Sequence, residues 1–465
     1  MREPAAVNFA AIAALGGFAL AAFAPQIFHD GDTWWHLAAG TWMLAFQAVP
    51  MRDSFSYSFA GQPWTAHEWL AEVLMTLSFR AAGWSGLHIL FGLAFGAAAF
   101  IVAHALRRRL DFTPALLTAV MGLACVSGSL LARPHLLALP LLALWTASLV
   151  EARAQERAPP LWLALVMLGW ANLHGSFAFG LGLAAALGAE AVIASNPRAA
   201  AARQWGAFFG ASLIAALITP QGLDGLLFPF RLLLMPGLAG VGEWAPSDLS
   251  HLSPFTITLL VMLAVLALGK IKLPLMRAVL IAALTYLALS HMRHVMLFGI
   301  AAPLLAAPAM AAAWPAKPEP ARSFAIPATA LTAVLLLARL IFPAERGEDR
   351  VSPVASLAAV PKTLRSEPVL NAYDYGGYLI FNNVKVFIDG RTDMYATDFL
   401  GQTDRINEGD SIAIVAALSR YQVSWTIFPA GSPTVKMLDR LPGWHRLHSD
   451  ANAVVHMKDQ PPPPG

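Results

Sequence analysis

The densest run of reactive side chains is His29-Asp30-Gly31-Asp32-Thr33-Trp34-Trp35-His36. Two carboxylates flanking a glycine suit two kinds of chemistry. One can act as a general base and take the proton of an acceptor hydroxyl. Together they can hold a divalent cation that neutralises a phosphate leaving group. A structural alternative stands beside both, since Asp32 or Thr33 is a good N-cap for the helix that follows. The segment continues through Asp53-Ser54-Phe55-Ser56-Tyr57 to Gly61-Gln62-Pro63-Trp64-Thr65-Ala66-His67-Glu68-Trp69-Leu70. His67 and Glu68 open another helix there, where Glu68 serves the helix dipole or a substrate.

Further polar groups recur as Arg133-Pro134-His135, as Asn172 and His174, as Glu243-Trp244 and as His291-Met292-Arg293-His294. Alone, each reads as an interfacial anchor or a satisfied core residue. Jointly they are an outward set of cations and histidines able to grip a phosphate or pyrophosphate. The candidate catalytic residues are Asp30, Asp32 and Glu68. The candidate substrate-binding residues are His36, His67, Arg133, His135, Asn172, His174, Glu243, His291, Arg293 and His294. A metal, if one takes part, belongs at Asp30 and Asp32 as Mg2+ or Mn2+; no other cofactor is indicated. His291 and His294 share a helix face, but two ligands make a poor zinc site.

The elements that must carry these residues are set by composition. Of 465 residues, 57% are hydrophobic and 13% charged. A water-soluble domain has about 25% charged residues, so the chain reads as a polytopic membrane protein. The net charge of +3 and the lack of a basic tract exclude nucleic acid as an expected partner. The single cysteine, Cys125, excludes an intrachain disulfide framework. Apolar runs near 7–26, 86–106, 114–132, 135–151, 160–174, 176–194, 204–220, 255–269, 272–290, 294–313 and 323–343 are candidate spans. The first lacks a small-x-small cleavage site and is expected to stay as a span.

Lys/Arg bias orients these spans. With the N-terminus in the cytoplasm, Arg107–Arg109, Arg153 and Arg157, Arg198 and Arg203, Lys270, Lys272 and Arg277, and Lys317 and Arg322 all fall on one side. The acidic groups, Asp30 and Asp32 among them, fall on the other. Residues 66–82 carry Glu68, Glu72 and Arg80 and read as an amphipathic interfacial helix. Residues 33–47 read as a second one, so 27–85 is a structured external loop. Residues 1–345 form the membrane domain.

Residues 351–460 change character. Strand-like runs (Val369–Leu370, Lys385–Ile388, Val423–Phe428, Ala453–His456) alternate with helical ones (Ser411–Arg420, Pro433–Leu441). Gly376–Gly377 and Asp389–Gly390 supply turns. A small extracytoplasmic α/β domain is expected, ending in a frayed Pro461–Pro464 run. Asp389, Arg391 and Asp393 read first as a turn held by its own salt bridge, and second as part of an acceptor site. Tyr373, Tyr375 and Tyr378 stack on sugar or pack on the membrane domain.

Asp30-Gly31-Asp32, Val49-Pro50, Gly61-Gln62-Pro63 and Trp69-Leu70 together resemble the first external loop of the GT-C superfamily of glycosyltransferases, such as protein O-mannosyltransferases and lipid A aminoarabinose transferases. The whole chain also resembles uncharacterised bacterial GT-C-like membrane proteins, through Asp32–Leu37, Ala132–His135, Asn172–Gly175, Tyr375–Tyr378 and Phe387–Arg391. The resemblance implies an all-α GT-C-like membrane domain of about eleven spans plus interfacial helices. It implies a multi-pass protein of a bacterial inner membrane, with the C-terminal domain outside the cytoplasm. It also implies inverting transfer of a sugar from a polyprenyl-phosphate donor in the bilayer to an extracytoplasmic glycan, lipid or protein acceptor. The loop acid is then Asp30 or Asp32, with Asp30 favoured because Asp32 has the competing cap role. Several relatives place a second acid after the third span, where this chain has Arg133-Pro134-His135; Glu68 or Glu243 substitutes, the chemistry differs or activity is lost. The competing readings are a lipid-linked solute transporter or flippase, and a non-catalytic subunit of envelope glycan assembly.

Overall fold

The computed structural model describes residues 2–235, 242–317 and 324–459. Arg322 and the Pro461–Pro464 run lie outside the described residues. The first part of the chain folds as α1 (Arg2–Phe23), α2 (Asp32–Phe46), α3 (Trp69–Arg107), α4 (Phe112–Ala124), α5 (Pro134–Ala154), α6 (Ala164–Leu173), α7 (Phe177–Ala194), α8 (Arg198–Leu217), α9 (Leu223–Leu233), α10 (Pro254–Ala267), α11 (Leu275–Ser290), α12 (Val295–Ala313) and α13 (Ala325–Ile341). Each of the eleven apolar runs contains a helix among its described residues. Among the described residues six helices, α1, α3, α4, α5, α7 and α12, with short flanking turns, are long and apolar enough to cross a bilayer. α6, α10, α11 and α13 are apolar but shorter, and α8 is diluted by Arg198, Arg203 and Gln204. The amphipathic α9 was not expected; Leu223, Leu227, Phe230 and Leu233 on it are exposed.

Small residues let the helices approach closely, as packing between apolar helices requires. A Cβ at Gly92 of α3 would press on Phe18 and Ala22 of α1. Gly122 of α4 and Gly299 of α12 each face the other's carbonyl oxygen. α3 is broken at Ala82 (φ −150°, ψ 27°) and Gly83 (φ 56°, ψ −142°). The positive φ is cheap only for glycine. The break divides an arm at 69–81 from a longer segment at 84–107, matching the expectation of two helices there.

The basic loops gather at one end of the bundle. Arg153 and Arg277 both pair with Glu190, at 3.3 and 3.4 Å. Lys317 pairs with Asp111 (3.1 Å), and the Ala316 amide donates to the Arg109 carbonyl (3.0 Å). The connections carrying the candidate site residues lie at the other end.

The C-terminal part folds as α14 (Val354–Ala359), α15 (Lys362–Arg365), β1 (Val369–Asn371), α16 (Gly376–Phe381), α17 (Thr397–Asn407), α18 (Ser411–Arg420), β2 (Trp425–Pro429), α19 (Pro433–Leu438), β3 (Trp444–Ser449) and β4 (Ala453–Lys458). The sheet order is β1-β2-β4-β3. β1 and β2 are parallel, joined by a crossover through α16–α18; the other pairs are antiparallel.

Two expectations need correcting. Lys385–Ile388 is not a strand of this sheet. Val386 forms a single bridge to Ser56, exchanging backbone bonds with Phe55 and Tyr57 at 3.2 and 3.1 Å. Gly376–Gly377 is not a turn but the start of α16, where Gly376 packs on the Ile388 carbonyl and Gly377 on that of Gly31. And α2 is packed on more than one side. Nine of its residues are buried, because α3 packs on one side of it and α16 on the other. One apolar core therefore joins Trp34, Trp35, Ala39, Met43, Trp64 and Ala66 of the first loop to Leu379, Phe387, Trp425 and Val455 of the tail.

Candidate active site

Asp30 ends the connection from α1 to α2, and Asp32 is the first residue of α2. Neither Asp32 nor Thr33 caps the helix: Gly31 holds the cap position, without a side-chain bond. Thr33 Oγ1 instead donates to the Ala132 carbonyl (3.3 Å). The Ala132 amide donates to the Ile27 carbonyl (2.8 Å). These two bonds strap the start of α5 to the segment carrying both aspartates, and so deliver Arg133 between them.

Arg133 Nε donates to Asp30 Oδ2 (2.5 Å) and Nη2 to Asp30 Oδ1 (2.6 Å), a two-pronged pair. Arg133 Nη1 lies 2.9 Å from Asp32 Oδ2 and 3.0 Å from Glu243 Oε2. Glu243 Oε1 accepts from Arg293 Nη1 (3.0 Å). The Arg293 guanidinium sits 4.3 Å over the Trp244 ring, a favourable cation–π geometry. Burial pushes the Glu243 carboxyl up, but Arg293 and Arg133 outweigh it and hold it below the usual range.

These groups wall a polar cavity of about 90 Å³, space for several water molecules. Nine of the expected residues line it: Asp32, His36, His67, Glu68, Arg133, His135, His174, Glu243 and Arg293. Burial raises the Asp32 carboxyl to about 7, against the opposing pull of Arg133. Glu68 is raised to about 8, again by burial, with Arg293 opposing. Its Oε1 lies 3.4 Å from His174 Nε2 and 3.7 Å from His67 Nε2. The Ser176 amide donates to His174 Nδ1 (3.1 Å), so the Nε2–H of that ring is the one facing Glu68. Burial takes His67 down to about 4 and puts His36 and His174 well below the ordinary imidazole value. Burial thus disfavours the charged forms of these histidines, of Glu68 and of Asp32.

Four expected residues stand elsewhere. Asp30 is 6% exposed and lies behind the wall, gripped by Arg133. Asn172 has a structural job: Oδ1 accepts from Trp69 Nε1 (2.8 Å), and Nδ2 donates to the carbonyls of Leu168 and Ile218 (2.8 and 2.9 Å). His291 Nδ1 bonds the Trp244 carbonyl (2.8 Å). His294 packs against Trp244 at 6.3 Å between ring centroids.

Glu72 is a lining residue that the sequence reading did not single out. Its Oε1 is 3.2 Å from His36 Nδ1, while Oε2 has no partner among the described residues. It follows Glu68 by four residues, which puts both carboxylates on one helix face; that spacing was the available signal. The tail supplies the remaining wall as Gly390, Thr392 and Asp393. Gly390 abuts the Asp32 carboxylate so closely that a Cβ would drive into Oδ1. Burial raises Asp393 to about 6. The turn at Asp389–Arg391 does hold its own ion pair (2.7 Å), but Arg391 also reaches Asp53 of the first loop (2.7 Å), all fully buried. The tyrosines pack: Tyr375 Oη donates to the Asn452 carbonyl (2.9 Å), Tyr373 bonds Thr392 (2.9 Å), and Tyr378 meets Trp34 edge-on.

A divalent cation at the acid pair does not fit this arrangement. Both oxygens of Asp30 are taken by Arg133, and among the described residues no three His, Cys, Asp or Glu side chains are placed to hold a metal ion.

His135, Glu243 and Arg293 are shared with a second cavity of about 360 Å³ that reaches Cys125, Phe255 and Met296. A separate apolar groove of about 890 Å³ runs between α4, α10, α11 and α12, lined by residues such as Met121, Val261, Ile281 and Phe298.

No family model and no curated protein matches the chain. Solved structures do. The apo oligosaccharyltransferase of Archaeoglobus fulgidus is similar with a TM-score of 0.51 and 12% identity, over 90% of this chain and 69% of that one. The oligosaccharyltransferase AglB of the same organism, solved with an inhibitory peptide and a dolichol-phosphate, is similar with a TM-score of 0.53 and 12% identity over the same shares. The chain therefore has a fold similar to that of these two oligosaccharyltransferase structures.

Proposed function

We propose that this chain is an integral membrane glycosyltransferase, moving a sugar from a polyprenyl-phosphate-linked donor to an acceptor outside the cytoplasm. The observation that carries the reading is Asp32, ion-paired to Arg133, lining with Arg293 one buried polar cavity, which shares His135, Glu243 and Arg293 with a second cavity, in a bundle that also holds an apolar groove. Its fold is similar to that of an oligosaccharyltransferase solved in complex with a dolichol-phosphate. The isoprenoid tail lies in the groove between α4, α10, α11 and α12, with the phosphate toward Arg293 and Arg133. An acceptor hydroxyl gives its proton to Asp32 while its oxygen attacks the anomeric carbon. The bond from that carbon to the phosphate oxygen breaks with inversion, and the lipid phosphate leaves against the two guanidinium groups. Glu68, protonated, donates a hydrogen bond to the departing phosphate. Between the two loop acids, accessibility favours Asp32 as base, because both oxygens of Asp30 are committed to Arg133.

In reconstituted vesicles supplied with labelled lipid-linked sugars from bacterial membranes, Asp32→Asn is expected to abolish transfer with expression intact. Full activity in Asp32→Asn would refute the assignment. The non-catalytic alternative draws support from the small polar cavity and from an Arg133 already paired with three carboxylates. Absence of any glycan or glycolipid change in a deletion strain favours it.

A further inference from the structure

Three carboxylates from two distant segments of the chain, Asp30, Asp32 and Glu243, direct oxygens at one side chain. A divalent ion needs such oxygens free to approach to about 2.0–2.6 Å on several sides. Here each of the three spans 2.5–3.0 Å to a guanidinium nitrogen of Arg133 instead. Asp30 is engaged through both oxygens, in the planar fork geometry that only arginine offers. Asp30 and Asp32 are 6% and 9% exposed, and carboxylates so buried need a cation beside them. The backbone supplies that cation by construction. The Thr33-to-Ala132 and Ala132-to-Ile27 bonds tie the residue before Arg133 to the very segment that bears the aspartates. Arg346 holds the other side, donating to the Asp30 carbonyl (3.2 Å) while stacking over Trp34 at 4.6 Å.

We propose that Arg133 is the permanent counter-cation of this site, standing where a divalent metal would otherwise bridge the acids, so that the chain has no divalent-cation site in its chamber. The inference is independent of sugar transfer, and its test reads no transfer.

The probe is Mn2+ alone, followed by electron paramagnetic resonance with the purified full chain in lipid nanodiscs. The wild-type chain is expected to leave the free-Mn2+ signal unchanged. Arg133→Gln uncovers the carboxylates and is expected to create a site that takes up Mn2+ about tenfold or more tightly than the wild type. Adding Asp32→Asn to Arg133→Gln is expected to remove that site. Stoichiometric uptake by the wild-type chain that is lost in Asp30→Asn overturns the proposal. So does an Arg133→Gln chain that elutes and melts like wild type yet takes up no Mn2+. Should Arg133→Gln fail to fold, the wild type and Arg133→Lys carry the test: both are expected to leave the signal unchanged, and uptake by either overturns the proposal.

Discussion

Asp30 and Asp32 are two residues apart, and they meet different surroundings. Asp30 holds Arg133 through both oxygens and orients it; Asp32 faces the cavity with its carboxyl raised to about 7 by burial. A base works only when deprotonated, so transfer is expected to fall as pH drops below about 7. A donor works only when protonated, so transfer is expected to fall again as pH rises above about 8, where Glu68 ionises. Glu68→Gln keeps a donor but cannot titrate; a pH–rate profile should show its alkaline limb gone and its acid limb retained. The types of the site residues were legible in the sequence, since Arg, His and acids at helix ends are costly in a membrane unless used. Which aspartate faces inward was not, because that depends on where Arg133 arrives from a hundred residues away. The partner of Asn172 was hidden for a similar reason: the Trp69 indole that it accepts from is supplied by the fold. Arg391 makes a separate prediction. Arg391→Met leaves the buried Asp53 and Asp389 without their cation. It is expected to cost about 3–5 kcal/mol of stability, read by denaturant unfolding of the purified chain.

At the scale of elements, α2 shows how close approach builds the site. Gly40 lets the arm of α3 pack directly against it, and Gly31, Gly377 and Gly390 let the tail do so from the other side. Gly390→Ala is expected to displace the Asp32 carboxylate and cut transfer by about a hundredfold or more. The thermal melt should move little compared with Arg391→Met; equal activity to wild type would remove the tail from the site. Helix positions were readable because apolar runs of sufficient length have few alternatives. The edge strand β3 was missed because its sequence, Trp444-His-Arg-Leu-His-Ser449, is mostly polar and half-exposed and gains strand geometry only by pairing with β4. Lys385–Ile388 erred in the opposite direction: it is apolar because it packs in the shared core, not because it joins the sheet.

At the scale of the whole molecule, two cores are stacked. One fills the helical bundle, and the other joins the first loop to the tail. The alternation of basic and site-bearing connections between the two ends gives a direct topological test. In a Cys125→Ser background, Lys436→Cys, exposed on the tail, is expected to react with an impermeant maleimide in intact cells. Arg157→Cys, exposed at the basic end, should react only after the membrane is opened. The reverse pattern inverts the proposed orientation. The division into bundle and tail was visible as a change in composition near residue 345, but their union was not, because the buried Arg391–Asp53 pair links positions 338 residues apart.

The wall formed by Gly390, Thr392 and Asp393 also has a meaning in time. A growing chain makes its helices, and the segment that bears Asp32, long before these residues are made. Until they dock on α2, the pocket lacks a side and Asp32 stands unshielded. Completion of the cavity is thereby coupled to synthesis and folding of the tail, and a polypeptide stalled partway lacks that wall.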